Sequence, residues 1–367
     1  MRRLLSTLFA ASALTGVMLL SACGGKEPSV SASAEPAQTY NWKLVTSWPK
    51  NFPGLGTGPE NFAKLVDEMS NGRLKVKVYG AGEIVPAFQV FDAVSQGTAE
   101  MGHAASYYWK GKMPAAPIFT AVPFGLNAQE TNGWIHYGGG LELWRELYKP
   151  FGVIPFAGGN TGVQSAGWFK REINSVADLK GLKMRIPGMG GEVLQKVGGI
   201  PVALSGGELF TSLQSGAIDA TEWVGPYNDL AFGFYKVTDH YYVSGWHEPG
   251  AMLEFTVNEK AFNALPKDLQ AIVEVATRAV NQDMLDEYTV RNNDALDTLQ
   301  QKHGVELKTF PKDVMVALKA ATEEVIKEQR AADPVVDRVM ASYQEFQSKV
   351  SNYHRLSEQE YYKNRDL

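Results

Sequence analysis

The sequence predicts an α/β protein with two lobes and a helical C-terminal region. Two separate passages alternate strand-like and helix-like segments, the order typical of a parallel sheet covered by helices. From about Pro266 onward the chain instead shows long stretches of helical periodicity. Its 367 residues are enough for two or three domains, and a content of 44% hydrophobic and 20% charged residues is that of a folded globular protein.

The first α/β passage contains three predicted strands. Its elements are a strand over 40–48, a helix from 59 to 72, a strand over 74–78, a helix over 88–96 and a strand over 99–105. Pro59 stands where a helix begins and Gly72 where one ends. Each helix therefore connects two strands that are expected to be parallel.

The second passage repeats this order, and helices follow it. Its elements are a strand over 182–186, a helix over 191–197, an extended segment over 201–204, a helix over 208–215 and an extended segment over 217–221. A long helix is predicted from residue 272, and two more over 314–329 and 335–350. Pro311 and Pro334 precede the last two helices, where a proline is tolerated.

Charge and cysteine content exclude several function classes. The 35 Lys and Arg residues against 40 Asp and Glu residues give a net charge of −5, which argues against a nucleic-acid partner. The single cysteine excludes an intramolecular disulfide framework and any zinc or iron–sulfur site built from several cysteines. The sequence also lacks the HExxH, GxSxG and P-loop motifs of common hydrolases and nucleotide-binding proteins.

The N-terminus is typical of an export signal. Arg2 and Arg3 precede an apolar run over 4–20, which is also near the lower length of a membrane anchor. The sequence Leu-Ser-Ala-Cys that follows resembles a bacterial lipoprotein signal. We therefore expect a signal peptide over 1–22, a lipid on Cys23 and a flexible tether over 23–39 that is rich in Ser, Ala, Pro and Gly. The globular part would then lie in the periplasm, attached to the membrane only through the lipid.

Three polar places stand out in the α/β region. Arg185 lies near the C-terminal end of a predicted strand, at the sheet edge where α/β proteins bind ligands, and an arginine there can bind a carboxylate. Glu222 ends a later strand at the corresponding edge. The third place is the glycine-rich segment 158–164. Each also has a simpler interpretation: a solvated arginine, a hydrogen-bonded core acid and a linker.

Two long segments carry a family resemblance. Segments 156–191 and 213–229, which contain DLKGLKMR and GAIDATEWVGP, resemble the extracytoplasmic solute receptors of tripartite ATP-independent periplasmic (TRAP) transporters, in their 2-oxoacid-binding branch. The resemblance covers essentially all of 40–367. It implies a receptor, not an enzyme, that binds a monocarboxylate such as pyruvate and delivers it to the TRAP membrane permease.

The resemblance also implies the architecture of a two-lobed periplasmic binding protein that closes at a hinge. Its expected parts are lobe I over 40–162 plus 250–290, lobe II over 163–249 plus 291–311 with a long connecting helix, and C-terminal helices over 312–367. These last helices either wrap the lobes or exchange between two subunits of a homodimer.

The resemblance assigns roles to individual residues at the solute site. Arg185 would bind the solute carboxylate, Asn160 and Gln164 would offer polar contacts, and Tyr107 or Tyr108 would line the site from the other lobe. Arg185 and Glu222 are expected to meet across the mouth of a closable cleft.

A cation is implied beside the solute. The expected ligands are Gln164, Glu222, Glu248 and the backbone carbonyl of Trp223, while no role is implied for Ser106 or His247. Oxygen donors suit Na⁺, the first expectation, or Ca²⁺, and not Zn²⁺. A 2-oxoacid can chelate a cation through its carboxylate and keto oxygens, and the cation would offset repulsion between Glu222 and the anionic solute.

Two other functions remain open from the sequence. A receptor for lactate, a dicarboxylate or a branched-chain 2-oxoacid would keep Arg185 and differ in pocket size, which Phe88, Tyr108 and Trp246 would set. An exported glycoside hydrolase would instead use Glu222 and Glu248 as its pair of carboxylates.

Overall fold

The computed structural model describes residues 38–365 and 367, which form two mixed β-sheets with helices around them. The strands are β1 Tyr40–Thr46, β2 Leu74–Tyr79, β3 Met101–Ala104, β4 Val153–Asn160, β5 Gly167–Phe169, β6 Lys183–Arg185, β7 Ile200–Val202, β8 Ala220–Thr221, β9 His240–Tyr242, β10 Met252–Asn258 and β11 Glu306–Lys308. The predicted signal peptide, Cys23 and all but the last two residues of the predicted tether lie outside the described residues.

Helices account for most of the remaining regular structure. They are α1 Thr57–Met69, α2 Val90–Ser95, α3 Ala128–Tyr137, α4 Gly140–Tyr148, α5 Gly188–Lys196, α6 Gly206–Ser215, α7 Pro226–Phe232, α8 Glu259–Asn263, α9 Lys267–His303, α10 Lys312–Ala332, α11 Pro334–Leu356 and α12 Glu358–Arg365. Within the part of the chain that the structure describes, no helix combines the length and hydropathy needed to cross a bilayer. The predicted α/β class and the helical C-terminal region are confirmed.

The first sheet has the order β2-β1-β3-β10-β4, and the second has the order β11-β9-β5-β8-β6-β7. As predicted, the strands joined by short helices are parallel: β1 pairs with β2 and β3, and β6 with β7 and β8. Strands β4, β5, β9, β10 and β11 were not predicted. The chain leaves the first sheet after β4, enters the second sheet at β5, and returns to the first sheet between β9 and β10. Strand β10 lies between β3 and β4 and is antiparallel to both.

Helix α9 is long because one face stays buried along much of its length. Leu269, Val273, Val280, Met284 and Tyr288 are buried, at spacings that keep one helical face toward the protein. The helix begins earlier than predicted, directly after Pro266, and ends at Gly304, whose φ of +67° suits a glycine.

Helices α10 and α11 pack on the same chain. Asp333 caps α11, because its side chain accepts hydrogen bonds from the backbone N–H groups of Val335 (2.7 Å) and Val336 (3.2 Å). The buried Tyr343 of α11 packs edge-on against Trp134 of α3, and its hydroxyl accepts a hydrogen bond from the backbone N–H of Leu126 at 2.6 Å. Helix α12, in contrast, has no buried residue among those described.

A buried carboxylate on β10 fixes the turn that follows β3. Glu254 is fully buried and accepts hydrogen bonds from Ser106 (2.8 Å), Tyr148 (2.8 Å) and the indole N–H of Trp109. Ser106 and Trp109 are the ends of a 3₁₀ turn whose middle residues are two tyrosines. No cation neutralises this carboxylate among its described hydrogen-bond partners. Burial therefore raises the pKa of Glu254 from 4.5 to about 7, although its three donors oppose the rise.

We expect Glu254 to make the folded state less stable as the pH rises. Because the folded state binds the proton of Glu254 more tightly than the unfolded state does, stability is lost between about pH 4.5 and pH 7, by about 3 kcal/mol. Urea unfolding of Glu254→Gln, which cannot ionise, should show a shallower fall between pH 5 and pH 7.5 than the wild type. Exposed Glu323→Gln is the control; equal pH slopes in wild type and Glu254→Gln would contradict this expectation.

Candidate functional site

Arg185 and Glu222 form a buried ion pair at one edge of the second sheet. Arg185 is the last residue of β6, and Glu222 directly follows the neighbouring parallel strand β8. The Nη1 atom of Arg185 donates to the Glu222 carboxylate and, at 3.1 Å, to the Glu222 backbone carbonyl. Their side chains are only 2% and 1% exposed, so the interpretation of Arg185 as a solvated arginine is wrong.

The two residues lie side by side on one sheet. The expectation that they meet across the mouth of a cleft was wrong, because the carboxyl ends of neighbouring parallel strands lie at the same sheet edge. The Nε atom of Arg185 donates to the Leu204 carbonyl at 3.2 Å, and the guanidinium lies 4.9 Å from the centre of the Trp223 ring. Burial alone would lower the pKa of Arg185, but the Glu222 carboxylate raises this pKa above its ordinary value. The guanidinium is therefore a permanent cation.

Tyr107 and Tyr108 approach this pair from the first sheet. Both lie in the 3₁₀ turn after β3, and the Tyr108 hydroxyl lies 3.5 Å from Nη2 of Arg185. A Cβ atom on Gly188 would lie 3.2 Å from the Tyr107 side chain, a tight contact, and the Gly188 φ of +61° itself favours glycine. Burial raises the pKa of Tyr108 to about 12 and the pKa of Tyr107 well above its ordinary value, with a further rise for Tyr107 from Glu248. Both hydroxyls are therefore neutral.

A second carboxylate lies beside Glu222. Glu248 is buried and accepts a hydrogen bond from the Gln164 side chain at 2.8 Å, and its backbone carbonyl accepts one from the Gln164 backbone at 3.2 Å. The same Gln164 amide donates to Thr161 at 3.2 Å. Burial raises the pKa of Glu248 well above its ordinary value, and the charge of Glu222 raises it further. The carboxylates of Glu222 and Glu248 are therefore buried close together, without a separate cationic side chain to neutralise each of them.

The donor set around these carboxylates fits a hard cation. The Oε1 atom of Gln164 is buried and has no hydrogen-bond partner among the described residues. Glu222, His247 and Glu248 each offer an atom within 4.8 Å of the others. An unused amide oxygen beside two carboxylates is the chemistry that Na⁺ or Ca²⁺ requires.

His247 was not predicted as part of this site. Its Nε2 atom lies 3.3 Å from Oε2 of Glu222, and the residue is buried. An imidazole nitrogen is a poor ligand for an oxygen-preferring cation, so this contact is best described as a hydrogen bond that orients the Glu222 carboxylate. The only sequence signal was the position of His247 next to Glu248.

Asn160 has a different environment from the one expected. It ends β4, and its Oδ1 atom accepts a hydrogen bond from the Gly162 backbone at 2.9 Å while its Nδ2 atom donates to the Gly250 carbonyl at 3.2 Å. The Asn160 amide therefore joins the segment that follows β4 to the segment that precedes β10, the two segments that cross between the sheets. The structure brings Glu222 and Tyr108 against Arg185, with Glu248 beside Glu222 and Gln164 hydrogen-bonded to Glu248. The described side-chain hydrogen bonds of Asn160 are instead to backbone groups.

A small cavity of about 10 Å³, close to the smallest volume that holds a water molecule, lies beside this cluster. Trp48, Tyr107, Tyr108, Gln164, Trp223 and other side chains line it. Of the three residues expected to set pocket size, only Tyr108 lines this cavity. Phe88 packs behind the Tyr108 ring at 4.8 Å, and Trp246 packs against His247 at 5.6 Å. Trp48 was missed, although an aromatic residue at the end of a strand was a possible signal.

Comparison with known proteins identifies the family. Residues 44–333 match the family model of bacterial extracellular solute-binding protein, family 7. A protein of Nostoc sp. named monocarboxylate 2-oxoacid-binding periplasmic protein is 43% identical over 360 residues, which cover 98% of this chain and 97% of the relative.

Three solved structures share the two-lobed fold of TRAP periplasmic solute-binding proteins. The protein of Colwellia psychrerythraea, with bound calcium and pyruvate, has a TM-score of 0.87 and 46% identity, over 89% of this chain and 100% of that one. That of Pseudoalteromonas atlantica, with sodium and pyruvate, has a TM-score of 0.87 and 45% identity, over 89% and 99%. That of Bordetella bronchiseptica has a TM-score of 0.86 and 40% identity, over 88% and 96%.

The Bordetella structure is described as a mixed-occupancy dimer with copurified calcium and picolinate in one active site and an apo second site. The family match covers most of the chain. It confirms the family resemblance that segments 156–191 and 213–229 indicated. The chain therefore belongs to the family 7 bacterial extracellular solute-binding proteins, the solute receptors of TRAP transporters.

Proposed function

We propose that this receptor binds a 2-oxoacid monocarboxylate, pyruvate or a close analogue, together with a hard cation between its two sheets. The observation that carries the proposal is a buried permanent cation, Arg185, beside two buried carboxylates and the unused amide oxygen of Gln164. Such a set binds an anion and a cation together more readily than either alone. The relatives with bound pyruvate support the same solute class.

The solute carboxylate is proposed to bind the outer face of the Arg185 guanidinium. Nη1 is already used by Glu222, whereas the described contact of Nη2 is the long one of 3.5 Å to the Tyr108 hydroxyl. A carboxylate at Nη2 can therefore be bound without breaking the buried ion pair. Tyr107 and Tyr108 would cover it from the first sheet, and Asn160 would contribute by shaping the crossing segments rather than through a free amide.

Gln164, Glu222, Glu248 and the backbone carbonyl of Trp223 are the proposed cation ligands. When bound, the cation would supply positive charge between the two carboxylates and the anionic solute. Pyruvate and picolinate, the solutes of the relatives, both carry a second donor atom adjacent to the carboxylate and can chelate one cation. A solute without that second donor would leave the cation short of a ligand, which favours 2-oxoacids over simple fatty acids.

The two sheets with their helices are proposed to act as lobes that close over the solute. We keep the expected boundaries, with lobe I over 40–162 plus 250–290, lobe II over 163–249 plus 291–311 and C-terminal helices over 312–367. The contact of Tyr108 with Arg185 and the ion pair of Lys110 with Glu192 both join the first-sheet side to the second-sheet side. These contacts would form on closure, and the crossing segments would bend as the hinge.

As a member of this family the chain is a receptor that works with a membrane permease. We further propose that Cys23 carries a lipid anchor in the periplasm and that the C-terminal helices support a homodimer. The exposed Tyr361 and Tyr362 of α12 and the dimer of the Bordetella relative support the second point. The glycoside-hydrolase alternative is wrong, because the family consists of solute-binding proteins and Glu222 is ion-paired with Arg185.

Native mass spectrometry of the full chain, purified gently from membranes, tests these proposals together. The expected masses are those of a dimer whose subunits each carry a lipid, one Na⁺ or Ca²⁺ and one small 2-oxoacid. A dicarboxylate, lactate or branched-chain acid as the retained solute would contradict the solute assignment. An unmodified Cys23 would contradict only the lipid anchor, and a monomer would contradict only the homodimer.

A further inference from the structure

The indole of Trp48 is fixed by a buried histidine from a neighbouring strand. Trp48 is 2% exposed, and its Nε1–H donates to Nδ1 of His103 at 2.8 Å. His103 is fully buried in β3, and its Nε2 atom lies 2.9 Å from the Gly158 carbonyl oxygen of β4. The histidine therefore connects the tryptophan to the strand from which the chain crosses to the second sheet.

Both contacts require one protonation state of His103. The Gly158 carbonyl can only accept, so Nε2 must carry the hydrogen, and the indole can only donate, so Nδ1 must be bare. Burial lowers the pKa of His103 to about 4, although the Gly158 hydrogen bond opposes this change, and the ring is neutral at ordinary pH. The Trp48 indole is thus held by a neutral acceptor that does not change near neutral pH.

Trp48 lines the small cavity beside the proposed solute site. Its ring centre lies 6.1 Å from that of Tyr108 and 6.0 Å from that of Trp223, which it meets edge-on. The Tyr108 hydroxyl, from the first-sheet side, and the Trp223 ring, from the second-sheet side, both lie against the Arg185 guanidinium. The cavity that Trp48 lines measures about 10 Å³, which is less than any 2-oxoacid needs, so side chains of its wall must move when a solute binds. A branched solute needs a larger displacement of this wall than pyruvate does, and Trp48 is a wall side chain that His103 holds in place.

We propose that the His103–Trp48 pair determines the size of the solute side chain, with His103 as a positioning residue that keeps the indole in the wall. This inference rests on the proposed function of 2-oxoacid binding. The pair would favour pyruvate over branched 2-oxoacids that carry the same carboxylate and keto groups. The described hydrogen bonds of the Trp48 indole and the His103 ring do not involve the proposed cation ligands, so cation affinity can be measured as a separate readout from the solute ratio.

The test compares the affinities of wild type and His103→Leu for pyruvate and for 3-methyl-2-oxobutanoate, by calorimetry in one cation-containing buffer. Leucine removes the acceptor of the Trp48 N–H, and the indole is then free to move. The expected result is a shift of about 10-fold in the ratio of the two affinities toward the branched acid. Trp48→Phe removes the donor instead and should shift the ratio in the same direction, which keeps the test decisive if His103→Leu does not fold.

Two controls separate positioning from general loss of stability. His103→Gln can accept from Trp48 and donate to Gly158 at the same time, and it should restore the wild-type ratio. Val66→Ala creates a cavity in a different hydrophobic cluster and should lower stability without changing the ratio. A wild-type ratio in every variant that folds would overturn the positioning role, whereas a wild type that binds neither acid would overturn the proposed function itself.

Discussion

Arg185→Ala is expected to abolish measurable pyruvate binding, a loss of at least about 100-fold in affinity. Among residues 38–365 and 367, Arg185 is the only arginine or lysine that is buried, so no second cation can replace it at the site. Without the Arg185 guanidinium, a solute carboxylate that enters this buried site would lose its solvation and gain no charge-assisted hydrogen bonds in return. Isothermal titration with pyruvate would measure the loss directly.

The same substitution is expected to destabilise the protein, because it leaves Glu222 buried without its partner. Breaking a buried ion pair from one side typically costs about 3–5 kcal/mol. The double variant Arg185→Ala/Glu222→Gln removes both charges and should recover part of the melting temperature without recovering binding. This difference separates loss of the solute contact from loss of the fold.

A matched surface pair provides the control for Arg185. Arg338 binds Glu146 through two hydrogen bonds, of 2.7 and 3.0 Å, but both side chains are more than half exposed. Arg338→Ala should therefore leave pyruvate affinity unchanged and alter stability little. Wild-type affinity in Arg185→Ala, with the fold intact by circular dichroism, would show that the solute binds elsewhere.

The parts of the fold that could be predicted are those with local signals. The strand–helix–strand passages could be predicted from alternating apolar residues and from Pro and Gly at helix ends. This prediction placed Arg185 and Glu222 at a common sheet edge, as the structure does. In contrast, β4 and β10 pair antiparallel across nearly a hundred residues of sequence. Residues 156–160, with two consecutive glycines, have low intrinsic strand propensity, so only tertiary pairing makes this segment a strand.

The parts of the site that could not be predicted depend on contacts between distant residues. His103 holds Trp48 from 55 positions away, and Glu254 holds Trp109 from 145 positions away. Nothing in the local sequence of these residues distinguishes them from ordinary core positions, and their roles arise only when the two sheets are assembled. The proposal of Glu222 and Glu248 as cation ligands comes from family resemblance, whereas the hydrogen bond of His247 to Glu222 required the structure.

Removal of the cation is expected to lower pyruvate affinity by about 10-fold or more, a coupling within the range usual for linked sites. Without positive charge between them, the carboxylates of Glu222 and Glu248 would face an anionic solute in a buried place. The measurement is titration with pyruvate after dialysis with EDTA into choline chloride, followed by return of Na⁺ or Ca²⁺. Because coupling is reciprocal, pyruvate should raise cation affinity by the same factor.

Glu222→Gln distinguishes a cation between protein and solute from a cation that only stabilises the fold. With cation present, the variant should bind both cation and pyruvate more weakly than the wild type, because it has lost a charged ligand. In cation-free buffer the variant should instead bind pyruvate more tightly than the wild type, since it has lost a carboxylate that repels the solute. Glu130→Gln, which alters a carboxylate hydrogen-bonded to His354 outside this cluster, should behave as wild type in both buffers. An equal loss of affinity in both buffers would contradict a cation placed between Glu222 and the solute, because only that placement makes the effect of one carboxylate change sign.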